Sequence, residues 1–483
     1  MFTTAPLFGK FHSPLKEAAR PLLRQPLHHL ESVVDDRIPP AMLGPNPDKE
    51  NSRQCLYFPK LTFLAFLDQT LSPDSSCREA VRQVRSYYQM QPDPKTIDKD
   101  TSAFCQARAR WRLDELVEIR RHLAQHTARN GLGLPFDCSV KLIDGTSLNI
   151  PDTAANRAEY PQSKDQKPEC GFPLMRLVGI FSLETGALLE RASGGYTTTS
   201  ENALYQQLWS TLKKGDILVG DRNFGSWGAI ASLKAGGVDS LFRLHASRNK
   251  DLRQGVSLGR NDRLVTWAKP RNKPANMTRE QWQALPDTLT VRLVRFRVPT
   301  STGRCKKITL VTTLTDPLLW PVDLLAALYA RRWKIELYWD DIKTTLHMDM
   351  LSCLTPKMIQ KELEMHLIAY NLIRSIMAEA ACACQAPLDR LSFKGTLDTA
   401  RQYSHRISQI PKSQKKLRLR VYLDMLSVIA EDQVPLRPDR FEPRCQKRRP
   451  KRYPFMTSPR VLKAARLDTI PRRKKSPKAK SLF

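Results

Sequence analysis

Three carboxylates stand in this 483-residue chain where phosphate chemistry would need them. Asp144 follows the apolar run VKLI, Asp221 follows ILVG, and Glu336 lies in the stretch YARRWKIELYWDDIK between Tyr329 and Lys343. Carboxylates brought together repel one another unless cations fill the space between them. Hard oxygen donors without a nearby histidine select Mg²⁺ or Mn²⁺. Two such ions held about 4 Å apart activate a water or a 3′-hydroxyl and stabilise the leaving oxygen of a phosphodiester. The chemistry indicated is phosphoryl transfer on nucleic acid. Singly, each residue has a plainer reading. An Asp-Gly after a strand is more often a turn, and Asp340 lies close enough to Glu336 on the helix to compete for its role. Their conjunction singles them out.

The stretch around Glu336 carries two stripes. At 100° per residue, Tyr329, Arg332, Glu336 and Lys343 project within about 60° of one another. Leu328, Ile335, Trp339, Ile342 and Leu346 form an apolar face beside them, so one helix is anchored by one stripe and displays the other. Arg332 offers a planar fork and Lys343 a point charge to phosphate oxygens, while Tyr329 either stacks on a base, hydrogen-bonds a phosphate or packs the helix end.

Composition points the same way. With 78 Lys+Arg against 48 Asp+Glu the net charge is +30, which implies a polyanionic partner, nucleic acid first among them. The ten cysteines are irregularly spaced. The close pair Cys382 and Cys384 sits in an apolar helical run, which reads as buried thiols in a reducing compartment rather than a zinc site. No signal-peptide pattern opens the chain and no apolar run approaches the roughly 20 residues that span a bilayer, so a cytoplasmic, nucleoid-associated protein without membrane contact is expected.

These residues need elements to carry them. Residues 1–132 read as a helical N-terminal, DNA-end-binding domain: Ser76 and Glu79 make a capping box, and Arg108, Arg110, Arg112, Arg120 and Arg121 make a basic helical segment that either grips DNA or is a solvated face. Residues 133–222 read as a strand closing in a turn at Asp144-Gly145, a hairpin about Glu184-Thr185-Gly186, a helix with a capping box at Thr198 and Glu201, and a buried strand ending at Asp221. Residues 223–316 read as a β-rich insertion, 317–350 as the helix carrying Glu336, 351–432 as a helical region, and 433–483 as a basic, Pro-rich tail that hugs phosphates or stays irregular.

The motif Y-(2)-R-(3)-E-(6)-K, occupied here by Tyr329, Arg332, Glu336 and Lys343, resembles in every residue and gap the signature of DDE transposases of the IS4 family of bacterial insertion sequences. IDGTSL at 143–148 and VGDRNFGSW at 219–227 are similar to the blocks that carry that family's two aspartates. The likeness runs from SAFCQARAR to EPRCQKRRPKRYPFMTSPR. It implies an α/β fold, a ribonuclease-H-like catalytic core with a β-rich insertion. It implies Asp144, Asp221 and Glu336 as catalytic ligands of two Mg²⁺ ions, for which Mn²⁺ substitutes, and Tyr329, Arg332 and Lys343 as contacts to the DNA end. It also implies cut-and-paste transposition: nicking by water, hairpin formation and reopening, then joining of the 3′-end to target DNA. The partners implied are double-stranded DNA, as terminal inverted repeats and target, and a second copy in a homodimer. A tryptophan that stacks a flipped base is also implied, with Trp267, Trp282 and Trp320 as candidates. Two other readings stand beside this one: a catalytically silent DNA-binding protein descended from a transposase, and a metal-dependent nuclease that cuts without joining.

Overall fold

The computed structural model describes residues 31, 33–44, 56–72, 76–89, 94–129, 139–245, 248, 252–299, 305–411, 413–436 and 456–463. The N-terminal leader and most of the basic tail lie outside them. In chain order come helices α1 (Pro59–Leu71), α2 (Cys77–Gln89), α3 (Ser102–Arg110) and α4 (Leu113–Arg129). Strand β1 (Val140–Asn149), α5 (Ala154–Glu159), β2 (Leu174–Ser182), β3 (Leu188–Gly195), α6 (Glu201–Gln207), β4 (Ile217–Gly220), α7 (Trp227–Ala235) and β5 (Asp239–Arg243) follow. Then come β6 (Val256–Gly259), β7 (Asp262–Ala268), α8 (Arg279–Gln283), β8 (Thr288–Pro299) and β9 (Cys305–Thr312). The chain closes with α9 (Val322–Ala330), α10 (Lys334–Asp340), α11 (Pro356–Ala383), α12 (Phe393–Gln409) and α13 (Lys415–Glu431).

Among the described residues the strands form one nine-stranded mixed sheet in the order β3-β2-β1-β4-β5-β9-β8-β7-β6. β1, β4 and β5 run parallel, and every other pairing is antiparallel. The parallel strands read as near-continuous apolar runs because both their faces are covered, as β4, buried along its whole length, illustrates. Leu142, Ile217 and Val219 face one core, shared with α10, α11 and the N-terminal helices. Ile143 and Leu218 face a second core with α6 and α7. The 223–316 segment begins with α7 and β5, which extend the parallel part of the sheet, and β9 then pairs β5, so the remaining strands continue the same sheet.

Three sequence expectations are corrected here. β1 does not close in a turn at Asp144-Gly145: its parallel partner β4 stops at Gly220, but its antiparallel partner β2 keeps it extended to Asn149. The cap of α6 is Ser200, whose hydroxyl accepts from the Ala203 amide, so Thr198 and Glu201 make no capping box there. Cys382 and Cys384 are exposed, because α11 ends at Ala383 and they lie at its solvent-facing terminus. The Ser76 cap holds, its hydroxyl accepting the Glu79 amide at 3.2 Å, and Gly186 takes the positive φ of +70° that the β2–β3 hairpin turn requires.

Two of the five arginines of the basic N-terminal segment, Arg108 and Arg120, are buried, and Arg112 and Arg121 are held in ion pairs. Arg108 is buried and donates to Gln69 at 3.0 Å, Arg112 pairs with Asp114, and Arg121 pairs with Glu190 at 2.6 Å. Arg120 on α4 is fully buried, donating to Glu364 on α11 at 2.9 Å and to the Leu189 carbonyl at 2.8 Å while pairing with Glu190 on β3. Arg191 completes the cluster with Glu364 at 2.7 Å. Three elements are thereby pinned at one buried point. Truncating one member of such a cluster strands its partners' charges. Arg120→Ala is therefore expected to cost about 3–5 kcal/mol in denaturant unfolding, the range for a broken buried pair, whereas Arg112→Ala, at an exposed pair, is expected to leave the unfolding midpoint unchanged.

Candidate active site

The sheet register explains how two distant aspartates meet. Ile143 on β1 pairs in parallel with Gly220 on β4, so Asp144 and Asp221 occupy the next, adjacent positions at the C-terminal end of that pair. By the two-residue alternation of a strand, Asp144 shares the face of Leu142, and Asp221 continues that of Ile217 and Val219. Both carboxylates thus emerge on the face against which α10 packs through Ile335, Tyr338 and Trp339.

Gly179 sets how close that helix lies. It pairs with Asp144 across β1 and β2, and a Cβ there would come within 2.9 Å of the Trp339 indole and of a Leu188 methyl. The bare backbone lets Trp339 lie against the strand, edge-on to Phe181 at 5.0 Å between ring centres. Glu336, one turn earlier on α10, is carried to the strand ends by that contact.

The expected single regular helix across Tyr329–Lys343 is corrected. α9 ends at Ala330, a 3₁₀ turn spans Arg331–Trp333, α10 follows, and Asp341–Thr345 is a π-turn in which the Leu346 amide donates to the Asp341 carbonyl at 3.0 Å. A wheel drawn at a constant 100° cannot represent these changes of pitch. The four signature residues nevertheless converge. Arg332 donates to Glu336 at 3.0 Å, and its guanidinium lies 5.9 Å from the Tyr329 ring centre. Lys343, carried by the π-turn, donates to the Thr146 hydroxyl at 3.2 Å and the Ser147 carbonyl at 3.1 Å, just beyond Asp144.

Electrostatics link the same groups. Burial pushes the Asp144 carboxyl up to about 6, opposed by the Gly145 amide and Arg332 and reinforced by Glu201 and Glu336. Burial also raises the Tyr329 hydroxyl, with Arg332 opposing and Asp221 adding to the rise. At Arg332 burial works against the charge, but Tyr329, Glu336 and Asp144 outweigh it and hold the guanidinium above its ordinary value. Each signature group therefore senses an aspartate or Glu336, except Lys343, which is tied to β1 by hydrogen bonds.

Sequence reasoning missed Glu201, which was read as part of a cap, and Arg243 on β5, whose charge acts on Tyr329. Trp333, inside the signature, is 42% exposed. Of the tryptophans singled out earlier, Trp282 is a core residue packed on Trp227 at 5.4 Å. Trp267 is half-buried beneath Arg248 at 4.8 Å, and Trp320 gives its carbonyl to Arg292 at 2.7 Å. No signal in the sequence separates these roles.

Among the described residues no three acidic, histidine or cysteine side chains are gathered closely enough to enclose an ion as they stand. The donor chemistry nevertheless suits a hard divalent cation: two aspartates side by side where the β1–β4 ladder ends, one of them a carboxyl raised by burial. The third carboxylate, Glu336, is engaged by Arg332.

Two aspartates stand where the parallel β1–β4 ladder ends, faced by the helical path that carries Tyr329, Arg332 and Glu336, and residues 136–372 match the family described as Transposase DDE domain. The chain thus resembles the DDE transposases and, within them, the IS4 family. It is 28% identical over 284 residues to "Transposase InsG for insertion sequence element IS4" of Escherichia coli (strain K12), a match covering 58% of this chain and 62% of that protein. A piggyBac transposase synaptic complex with hairpin DNA, solved by cryo-EM, aligns over 83% of this chain and 84% of its own at 10% identity and a TM-score of 0.40, too slight a likeness to carry weight.

Two outcomes follow from this geometry. Gly179→Val is expected to drive Trp339 off the strand, destabilising the fold by about 1–3 kcal/mol as overpacking does, read by denaturant unfolding. Asp341, in the π-turn, is pushed up to about 7 by burial, opposed by Arg374 and aided by Asp340. A carboxyl raised in the folded state stabilises fully below its unfolded value near 4, and that contribution is lost as pH rises towards about 7. Asp341→Asn should therefore gain more in Tm over wild type at pH 8 than at pH 5.

Proposed function

We propose that the protein is a DNA transposase that excises an insertion sequence and joins it to target DNA, with Asp144, Asp221 and Glu336 as the acidic triad. The observation that carries this reading is the parallel β1–β4 register, which brings Asp144 and Asp221 side by side beneath the helix bearing Glu336. The strand order β3-β2-β1-β4-β5, with β2 antiparallel to its neighbours, supports a ribonuclease-H-like core. Bound Mg²⁺ ions would activate the attacking oxygen and stabilise the leaving one. Asp144 and Asp221 would hold them, with Glu336 joining once it leaves Arg332.

The chain's own residues do the rest. Arg332, released from Glu336, presents a two-pronged donor to a phosphodiester, a geometry lysine lacks. Tyr329, between Arg332 and Asp221, contacts the strand end, and Lys343 neutralises the phosphate beyond Asp144. The net charge of +30 draws in the duplex. Terminal inverted repeats and target DNA are the substrates, the hairpin route is the proposed order of steps, and a homodimer pairs the two ends in a nucleoid-associated complex. Among the described residues no helix is long and apolar enough to cross a membrane.

The test is Mg²⁺-dependent cleavage of a supercoiled plasmid carrying the element's ends. Wild type is expected to release the element, while Asp221→Ala and Glu336→Ala bind the ends but cut at least about 10³-fold more slowly, reflecting the several kcal/mol that metal-ion catalysis supplies. Binding without cutting in wild type, in Mg²⁺ and Mn²⁺ alike, would make the protein a silent DNA-binding descendant. Cutting without joining of precleaved ends would make it a nuclease.

A further inference from the structure

A fourth carboxylate reaches the strand ends from the far side of the sheet. Glu201 is the first residue of α6, which packs on the second core. Ser200 caps this short helix through its own hydroxyl, so the Glu201 carboxylate is not needed there. Instead it lies over the backbone of β1: a Cβ on Gly145 would fall 2.2 Å from Glu201 Oε1. The position after Asp144 is bare backbone, and Glu201 fills the space a side chain would take. Asn223, two residues beyond Asp221, acts on the same carboxylate. The Glu201 charge acts on Asp144 and the Asp221 charge acts on Glu201, so one side chain is coupled to both aspartates. Arg176 on β2, stacked on Tyr196 at 4.4 Å, is the cation acting on it.

From these contacts we infer that Glu201 is a positioning residue of the metal centre, fixing through Gly145 the backbone that carries Asp144 and supplying a fourth negative charge beside the two aspartates. The inference rests on the DDE reading. Three carboxylates leave two divalent cations one positive charge in excess before DNA arrives; a fourth balances them. A purely structural glutamate would be replaceable by glutamine, which keeps the size and the packing against Gly145. A glutamate that matters through its charge is not.

The measurement is Mn²⁺ binding to the purified full-length protein without DNA, followed by electron paramagnetic resonance, for wild type, Glu201→Gln, Asp221→Asn and Glu280→Gln, the last an exposed acid on α8. Thermal melting is recorded alongside. Glu201→Gln is expected to weaken Mn²⁺ binding about tenfold at unchanged Tm, as loss of one unit charge at short range in a protein-like dielectric gives, and Glu280→Gln to leave it unchanged. In plasmid cleavage the Mg²⁺ requirement should rise by a similar factor, with recovery at high metal. Gly145→Ala, which pushes the Glu201 carboxylate away, provides an independent perturbation and should weaken Mn²⁺ binding in the same direction. If Asp221→Asn weakens Mn²⁺ binding and Glu201→Gln does not, the inference is overturned while the DDE reading stands. If neither does, the metal centre itself is wrong and both fall.

Discussion

The pairing of Val140–Ile143 with Ile217–Gly220 is the constraint on which this molecule turns. Parallel strands keep their register over a short distance only when both faces are buried, and here both are. Because the ladder is parallel, the two chains leave it at the same end, and the residues that leave are aspartates. A slip of one residue would turn one carboxylate into the opposite core. Ile143 and Gly220 help prevent it, since a Cβ on Gly220 would come within 2.8 Å of the Ile143 side chain. The smallness of one residue is matched to the bulk of its neighbour, and this match fixes the chemistry above it.

The other elements hold that pair of strands in relation to one helix. On one side, Trp339 rests on the strand beside Asp144, and the ion pairs of Arg331 and Lys334 with Asp389 tie the helical path to residues 388–390. Further back, the Arg120, Glu190, Arg191 and Glu364 cluster joins α4, β3 and α11. Such a cluster is costly to desolvate, and its contribution lies in specifying one arrangement of three elements rather than in net stability. On the other side, Arg292 is fully buried, chelates Asp262 and donates to the carbonyls of Leu314, Asp316 and Trp320. The segment that enters α9 is therefore held by the β7–β8 pair.

Much of this was legible in the sequence, and the boundary is physical. Asp144, Asp221 and the Tyr329–Lys343 spacing were readable because residue type and interval carry chemical meaning without knowledge of partners. The sheet elements were readable because apolar runs ending in Asp or Gly mark strands. Arg108 and Arg120 were misread as outward-facing because helical periodicity says which face a residue shares, not whether that face meets water or another helix. The π-turn was invisible because a wheel assumes a constant pitch. Glu201 was hidden for a third reason: its meaning arises only when α6 packs on β2 and β3 and its first side chain reaches Gly145 on β1, so a residue 57 positions from Asp144 looked like a local cap.

The continuity of the sheet has a mechanical consequence. β9 bonds to β5, β5 to β4, and β8, β7 and β6 extend outward from β9. A hydrogen-bonded ladder is stiff in its own plane, so the outer strands form a cantilever rooted one strand from Asp221. Whatever grips the outer strands, duplex or protein, is joined to the strand before Asp221 by an unbroken run of backbone hydrogen bonds.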